Sequence, residues 1–211
     1  MKLLQFFMTD RAEVTSLVME HVWLVGISML LAIAIGMPIG ILLTRWTRLQ
    51  KPVIGTANII QTIPSLALFG FLLPAPWLGA RADRLAITAL TLYALLPIIR
   101  NTYVGIAGVD PAIREAARGM GLTDLQLLFQ IELPLSLDVI LAGVRVATVI
   151  TIGVATIAAA IGAGGLGEFI FRGVAMVNDQ LILAGAIPAA LLAIFADVIL
   201  GAVERRLRPR V

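Results

Sequence analysis

Apolar residues along this 211-residue chain gather into five long stretches separated by short polar segments. A helix rises about 1.5 Å per residue, so roughly 20 apolar residues cross the hydrocarbon core of a bilayer. The stretches of this length are 21–43, 53–73, 85–106, 135–162 and 181–203. The pattern therefore predicts an all-α integral membrane protein with about five spans.

The segment before the first span mixes charged residues with phenylalanine and leucine. This mixture is typical of an amphipathic helix that lies at the membrane surface. The apolar run that follows is too long for a signal peptide, and no small-residue cleavage site comes after it. We therefore expect an interfacial helix over 1–20, a transmembrane domain over 21–203 and a polar tail over 204–211.

The composition excludes a soluble globule, because 60% of the residues are hydrophobic and 14% are charged, with a mean hydropathy of +1.00. Too few polar residues remain to cover the surface of a soluble fold. The chain has no cysteine, which excludes a disulfide or a thiolate metal site. Its single histidine, His21, cannot build a metal site alone, so we expect an interfacial residue there and no metal.

Basic residues are distributed unevenly around the predicted spans. Nine follow the first, third or fifth span and share one side: Arg45, Arg48, Lys51, Arg114, Arg118, Arg205, Arg206, Arg208 and Arg210. Five fall on the other side: Lys2, Arg11, Arg81, Arg84 and Arg172. The positive-inside rule then places the N-terminus outside and the C-terminal tail in the cytoplasm. The net charge of +3 thus reflects membrane topology, and we expect no nucleic-acid partner.

A polar segment over 110–134 interrupts the apolar pattern. Asp110 is a good N-cap, and Pro111 suits the first helical position, where its missing N–H costs nothing. These two residues predict a helix that runs to about Gly119. Gly121 should then break the helix, so a turn is expected there.

A second short helix is predicted in the same segment. Thr123 followed three residues later by Gln126 is a capping-box pattern, which opens a helix. Pro134 lacks a backbone donor and should mark the end of that helix. The polar segment is therefore predicted to be a helix-turn-helix platform.

The platform also carries a spaced set of residues: Glu115, Ala116, Ala117, Gly121, Ile131, Leu133 and Pro134. Their pattern, EAA-x3-G-x9-I-x-L-P, resembles the EAA loop of ABC-importer permeases and matches it at every position. In that family the loop is a cytoplasmic coupling helix that docks into a groove of a separate ATPase subunit. An ordinary amphipathic hairpin is the alternative, which seven matches in register disfavour.

Three further segments resemble permeases that import glycine betaine, choline, carnitine and related osmoprotectants. They are EHVWLVGISMLLAIAIGMPIGILLTR (20–45), QTIPSLALFGFLLP (61–74) and IGAGGLGEFIFRG (161–173). The resemblance implies a type I ABC importer (MetI-like) transmembrane domain in a bacterial or archaeal cytoplasmic membrane. It also implies a betaine-like or quaternary-ammonium cargo, an extracytoplasmic substrate-binding protein and two cytoplasmic ATP-binding subunits.

ATP hydrolysis is not expected on this chain. A P-loop needs a lysine after a glycine-rich turn to reach the β- and γ-phosphates, and Lys2 and Lys51, the chain's two lysines, lie in other contexts. ATP and magnesium should therefore bind a partner ATPase, and no cofactor is expected on this chain. Five spans are few to enclose a path, so a second permease copy or a related permease is expected.

Polar residues surround a proline in the second span: Gln61, Thr62, Pro64 and Ser65. A break at a proline frees backbone carbonyls, which a membrane protein tolerates against other protein or along a water-filled path. These four residues are therefore candidates for the translocation path. Plain helix packing is the alternative, because proline is common in transmembrane helices.

A glycine-rich segment follows the fourth span. Gly164, Gly165 and Gly167 lead into a short helix that carries Glu168 and Arg172, whose i,i+4 spacing favours an ion pair. On the outward face this segment would act as a re-entrant gate or as a docking surface for the binding protein. A flexible connector with a solvated ion pair is the alternative.

Arg145 lies about 15 Å into the fourth span, where an unpaired charge is costly. Asp197 lies on the antiparallel final span, about 9 Å from its cytoplasmic end. We therefore predict a structural ion pair between them in the inner half of the bundle. Asp138, two turns back on the same face as Arg145, is the fallback partner.

A secondary transporter and an intramembrane enzyme are the alternative functions for a membrane protein of this kind. An ion-coupled secondary transporter needs midplane carboxylates and often an internal repeat, and the sequence shows no repeat. An intramembrane enzyme needs a catalytic constellation, and Asp138 and Asp197 lie in no recognisable motif.

Small permeases for methionine or another amino acid share the EAA loop and the span count, so they are the rival cargo class. Whether the permease pairs with itself or with a related chain stays open.

Overall fold

The structure, a computed structural model, describes residues 2–79 and 81–207. Within these ranges every regular element is a helix. The α-helices are α1 (Lys2–Thr9), α2 (Arg11–Arg45), α3 (Thr47–Thr62), α4 (Ser65–Leu72), α5 (Pro76–Gly79), α6 (Ala82–Ala107), α7 (Pro111–Gly119), α8 (Asp124–Leu127), α9 (Leu133–Ala155), α10 (Gly167–Ala175) and α11 (Asp179–Leu207). A π-helix covers Leu128–Glu132, and a 3-10 helix covers Ile157–Ile161. Residues 208–211 of the expected tail, with Arg208 and Arg210, lie outside the described residues.

Four helices are long and apolar enough to cross a membrane: α2, α6, α11 and the continuous helix Asp124–Ala155, which contains α8, the π-helix and α9. A fifth crossing exists if α3 and α4 are counted as one broken span. The prediction of an all-α membrane protein with about five spans is therefore confirmed.

The first span is longer than its apolar stretch. Helix α2 has 35 residues and is therefore about 52 Å long, well beyond a hydrocarbon core of about 30 Å. The expected division at residue 20 does not coincide with a helix end, because the break lies at Asp10. His21 is buried within the bundle: it is 1% exposed, and its Nε2 lies 3.2 Å from the carbonyl oxygen of Ile152 in α9.

Proline interrupts one of the predicted spans. Helices α2, α6 and α11 continue through Pro38, Pro97 and Pro188. At Pro64 the chain breaks, and α3 and α4 are bent by 102°. Ile63 and Pro64 both have extended backbone, with ψ of 127° and 136°, as expected where a proline disfavours the helical conformation of the residue before it.

Helix α6 forms the centre of the bundle and packs against both α2 and α9. Ala86, Ala89 and Leu90 on this helix are fully buried. Small residues let the helices approach closely: a Cβ added at Gly143 of α9 would lie 2.5 Å from the Cβ of Asn101 in α6. Two of the residues of α6 that stay exposed, Arg84 and Arg100, are charged.

The chain direction places two groups of short elements at opposite ends of the bundle. The end of α2, α7, α8 and the start of α9 lie together at one end, where their side chains make ion pairs. Helices α1 and α10 lie together at the other end, where the rings of Phe6 and Phe169 are 5.6 Å apart. The candidate coupling residues and the glycine-rich segment are therefore separated by the length of the spans.

Candidate functional site: polar segment, broken span and glycine-rich segment

The first helix of the polar segment forms as its sequence predicts. Helix α7 covers Pro111–Gly119, and the Asp110 side chain accepts a hydrogen bond of 2.8 Å from the N–H of Ala112. Gly121 adopts a φ of +86°, a left-handed conformation that favours glycine. The helix and its break are therefore set by local signals.

The motif residues on α7 differ in exposure. Glu115 and Ala116 are exposed, whereas Ala117 is buried at 1%. One face of the short helix thus packs on the bundle, and the other presents a carboxylate beside a small side chain.

The second helix begins as predicted but does not end at Pro134. Thr123 and Gln126 form both hydrogen bonds of the capping box. The helix then runs on without a break to Ala155, so the prediction that Pro134 ends it was wrong. The π-helix explains the difference: the N–H of Leu133 bonds to the carbonyl of Leu128, five residues back, and this wider turn accommodates the proline ring and its missing donor.

The motif residues around the π-helix lie at the entrance to α9. Ile131 and Leu133 are half-buried, and Pro134 is exposed. Glu132 lies between Ile131 and Leu133, and its side chain is fully buried. The structure thus brings the second half of the motif to the same end of the bundle as α7.

Glu132 is the centre of a buried charge cluster that the sequence analysis missed. Its Oε2 lies 2.5 Å from Nη2 of Arg45 at the end of α2, and its Oε1 lies 3.0 Å from Nε of Arg114 in α7. Arg114 also donates a hydrogen bond to the carbonyl of Ile106 in the last turn of α6. One carboxylate therefore ties helix α7 to two spans and to the start of α9.

The surface beside this cluster is apolar and open. Three large side chains of the platform are strongly exposed: Met120 at 73%, Leu125 at 69% and Phe129 at 64%. A groove of about 490 Å³ runs next to them and is lined by residues of α2 and by Asp124, Leu125 and Leu128. An exposed apolar patch with a charged rim is typical of a protein interaction site.

The broken span contributes one of its four candidate residues to a cavity. Gln61 lines a cavity of about 440 Å³ between α3, α6 and α9. Thr62 and Pro64 are exposed, Ser65 is half-buried, and none of these three lines that cavity. The Thr62 hydroxyl donates a hydrogen bond of 2.7 Å to the carbonyl of Ile59, so its polarity is satisfied within its own helix.

The same cavity contains two polar residues that the sequence analysis did not single out. Arg100 and Asn101 of α6 line it together with apolar residues of α6 and α9. Arg100 follows the helical proline Pro97 by three residues, so both lie on one face. A signal existed in the sequence: Arg100 is a charge inside a predicted span.

The glycine-rich segment is held by specific contacts with α2. The N–H of Gly165 donates a hydrogen bond of 3.1 Å to Glu20, and Gly164 and Gly165 have φ values of +84° and +81°. A Cβ added at Gly167 would lie 1.8 Å from the carbonyl oxygen of Thr156. The segment is therefore a packed turn that follows the 3-10 helix.

The charged pair on α10 is extended by a third residue. Arg172 lies 3.6 Å from Glu168 and donates a hydrogen bond of 2.8 Å to Glu13 of α2. Its guanidinium also lies 5.7 Å from the ring centroid of Phe169. These contacts fasten α10 to the start of α2.

The two residues of the predicted intramembrane ion pair are brought together. Arg145 donates hydrogen bonds of 2.6 Å and 2.8 Å to Asp197, and its Nη1 lies 3.5 Å from Glu204. The fallback partner, Asp138, lies on the same helix as Arg145 and accepts the N–H of Val139. The bidentate geometry links α9 to α11.

We expect a double-mutant cycle to detect the coupling within this pair. Arg145→Met or Asp197→Leu alone should lower the melting temperature of the purified protein, because each leaves one charge without its bidentate partner. The double variant should recover part of that loss. Melting temperatures in one detergent measure the cycle, and strictly additive losses would show that the pair contributes no interaction energy.

The chain matches known proteins over nearly its whole length. The model of the family described as "Binding-protein-dependent transport system inner membrane component" matches residues 17–209. The carnitine transport permease protein OpuCB of Listeria monocytogenes is 46% identical over 191 residues, which are 90% of this chain and 86% of that protein. The osmoprotectant import permease protein OsmW of Salmonella typhimurium is 42% identical over 212 residues, which are 100% and 99% of the two chains.

Solved structures show the same fold. A chain of the MetNI methionine ABC transporter in an inward-facing conformation superposes with a TM-score of 0.84 at 21% identity, over 93% of this chain and 97% of that one. At this identity the likeness supports the fold alone, and it confirms the expected MetI-like architecture. The sequence relatives confirm the resemblance indicated by the EAA pattern. The chain therefore belongs to the family of binding-protein-dependent transport system inner membrane components.

Proposed function

We propose that this chain is the membrane-spanning permease subunit of an ATP-driven importer for osmoprotectants such as glycine betaine, choline or carnitine. The observation that carries the proposal is the set of relatives at 39–49% identity, whose names specify carnitine, choline, glycine betaine or osmoprotectant transport. The methionine transporter supports the fold but not the cargo, because its identity is 21%.

In this proposal the polar segment docks on an ATPase subunit. Glu115 and Ala116 form the exposed face of α7, and Met120, Leu125 and Phe129 provide apolar area beside it. Apolar side chains surrounded by charge suit a stable contact with another folded protein. ATP and magnesium belong to that subunit, of which two are expected, one for each permease.

The proposed orientation follows from charge. Arg45, Arg48, Arg114 and Arg118 lie at the end of the bundle that holds the coupling loop, which the positive-inside rule places in the cytoplasm of a bacterial or archaeal cell. The opposite end, with the glycine-rich segment, then faces the substrate-binding protein. Gly164, Gly165, Gly167, Glu168 and Arg172 are proposed as part of that docking surface or of an outer gate.

Reconstitution of the complete complex tests the proposal. Proteoliposomes that contain this permease, its ATPase and its binding protein should accumulate radiolabelled glycine betaine, carnitine or choline when ATP is supplied inside. Uptake should stop when either ATP or the binding protein is omitted. Liposomes that contain this chain alone form the matched control and should accumulate none of these compounds.

Two results would contradict the proposal in different ways. Methionine uptake that unlabelled glycine betaine, carnitine and choline fail to inhibit would assign the chain to amino-acid import. Cargo uptake by this chain alone, driven by an ion gradient without ATP, would assign it to secondary transport.

A further inference from the structure

An arginine inside a predicted span points into a cavity. Arg100 lies on α6, seven residues before the helix ends at Ala107, which is about 10 Å along the axis. Its side chain is exposed and lines the cavity of about 440 Å³ that Gln61 also lines. Ionisable residues at such depth usually face a water-filled space and mark a substrate pathway.

The two arginines inside predicted spans differ in how their charge is balanced. Arg145 is held by Asp197 and Glu204. The side chain of Arg100 makes no ion pair or hydrogen bond with any residue in the ranges 2–79 and 81–207. Its five N–H donors are therefore available to whatever enters the cavity.

The neighbours of Arg100 supply polar groups that suit the same ligand. The Asn101 side chain donates a hydrogen bond of 2.8 Å from Nδ2 to the carbonyl of Pro97, which holds its amide in place. Gln61 approaches from α3, and apolar residues of α6 and α9, among them Val146 and Ile150, form the rest of the lining. A cavity of this volume with a few polar groups among apolar side chains is typical of a small-molecule site.

We propose that Arg100, assisted by Gln61 and Asn101, recognises the carboxylate of zwitterionic cargo in the translocation path. A guanidinium presents paired N–H donors that match the two oxygens of a carboxylate. The same positive charge raises the local concentration of anionic groups and repels bare cations. The path therefore favours carnitine and glycine betaine, which carry a carboxylate, over choline, which does not.

This inference rests on the proposed osmoprotectant function, yet its electrostatic part is measurable without any cargo. The chain contains no cysteine, so Gln61→Cys places its single thiol in the cavity. In the reconstituted complex this thiol should react faster with an anionic methanethiosulfonate than with a trimethylammonium one of similar size. Arg100→Gln should lower that anion-to-cation ratio by about tenfold, the lower bound for focusing in a charged cleft.

Two variants separate charge from packing. Arg100→Lys keeps the charge and should retain most of the anion preference. Arg84→Gln removes an exposed arginine from the same helix outside the cavity lining, and it should leave the ratio unchanged. An anion preference that survives Arg100→Gln, or a thiol at position 61 that reacts with neither reagent, would overturn the proposal.

Cargo competition supplies the second measurement. With the same binding protein, Arg100→Gln should lower ATP-driven glycine betaine uptake relative to choline uptake, while Arg84→Gln should not. An unchanged cargo ratio would overturn the proposed recognition. If the wild-type complex transports none of these compounds while the reagent ratio still depends on Arg100, the osmoprotectant function fails and the anion-attracting cavity stands.

Discussion

Replacing Glu132 with alanine should destabilise the permease by about 3 kcal/mol, because it leaves two partly exposed arginines without the buried carboxylate that they share. The value lies at the low end of the range for broken buried pairs, since Arg45 and Arg114 keep 32% and 22% of their side-chain exposure. For a protein of this size such a loss corresponds to a melting temperature lower by roughly 6–12 °C. Thermal unfolding of the purified protein in detergent measures it.

Two further variants test whether the loss of stability comes from the buried charge of Glu132. Glu132→Gln keeps the side-chain shape and two polar atoms but removes the charge, so its melting temperature should fall between wild type and Glu132→Ala. Glu115→Ala removes an exposed glutamate from the adjoining helix and should change the melting temperature by less than about 2 °C. Equal melting temperatures for Glu132→Ala and Glu115→Ala would show that the buried cluster contributes nothing to stability.

Local signals predicted the polar segment well. The boundaries of α7, the capping box at Thr123 and the left-handed Gly121 each depend on a few neighbouring residues. The pairing of Arg145 with Asp197 could also be predicted from the sequence, although the two residues are 52 positions apart. The helix rise and the antiparallel direction of the two spans place both charges at similar depth in the membrane. Because an unpaired charge there is costly, Arg145 is expected to pair with Asp197.

Long-range contacts account for what the sequence did not predict. Glu132 and Arg45 are 87 residues apart, and nothing in their local patterns indicates that they meet. The continuation of α9 through Pro134 depends on a π-helix, which no turn signal encodes. The part of α2 that precedes its apolar stretch also makes long-range contacts, since Glu20 accepts a hydrogen bond from Gly165 and Glu13 accepts one from Arg172 in α10.

Reversing the charge at Glu115 should abolish most coupling to the ATPase while leaving the permease folded. Glu115 is exposed on α7 beside Ala116, so Glu115→Lys changes the proposed docking surface and not the core. A lost charge-assisted contact of about 1.5–3 kcal/mol would weaken ATPase association by roughly 10- to 150-fold. Co-purification of the ATPase and cargo-stimulated ATP hydrolysis in the reconstituted complex measure this loss.

Gly121→Val should uncouple the complex by a different route, because it strains the turn that orients the second helix. At a φ of +86° a side chain costs about 1–2 kcal/mol, and a β-branched one fits worst.

Gly119→Val is the matched control: a Cβ at Gly119 meets no atom within 4 Å, and its φ lies outside the left-handed region. Since Gly121 also has open space around it, a difference between the two valine variants would isolate backbone conformation as the cause. If Gly121→Val and Glu115→Lys both keep wild-type ATPase co-purification and stimulated hydrolysis, the polar segment is not the coupling element.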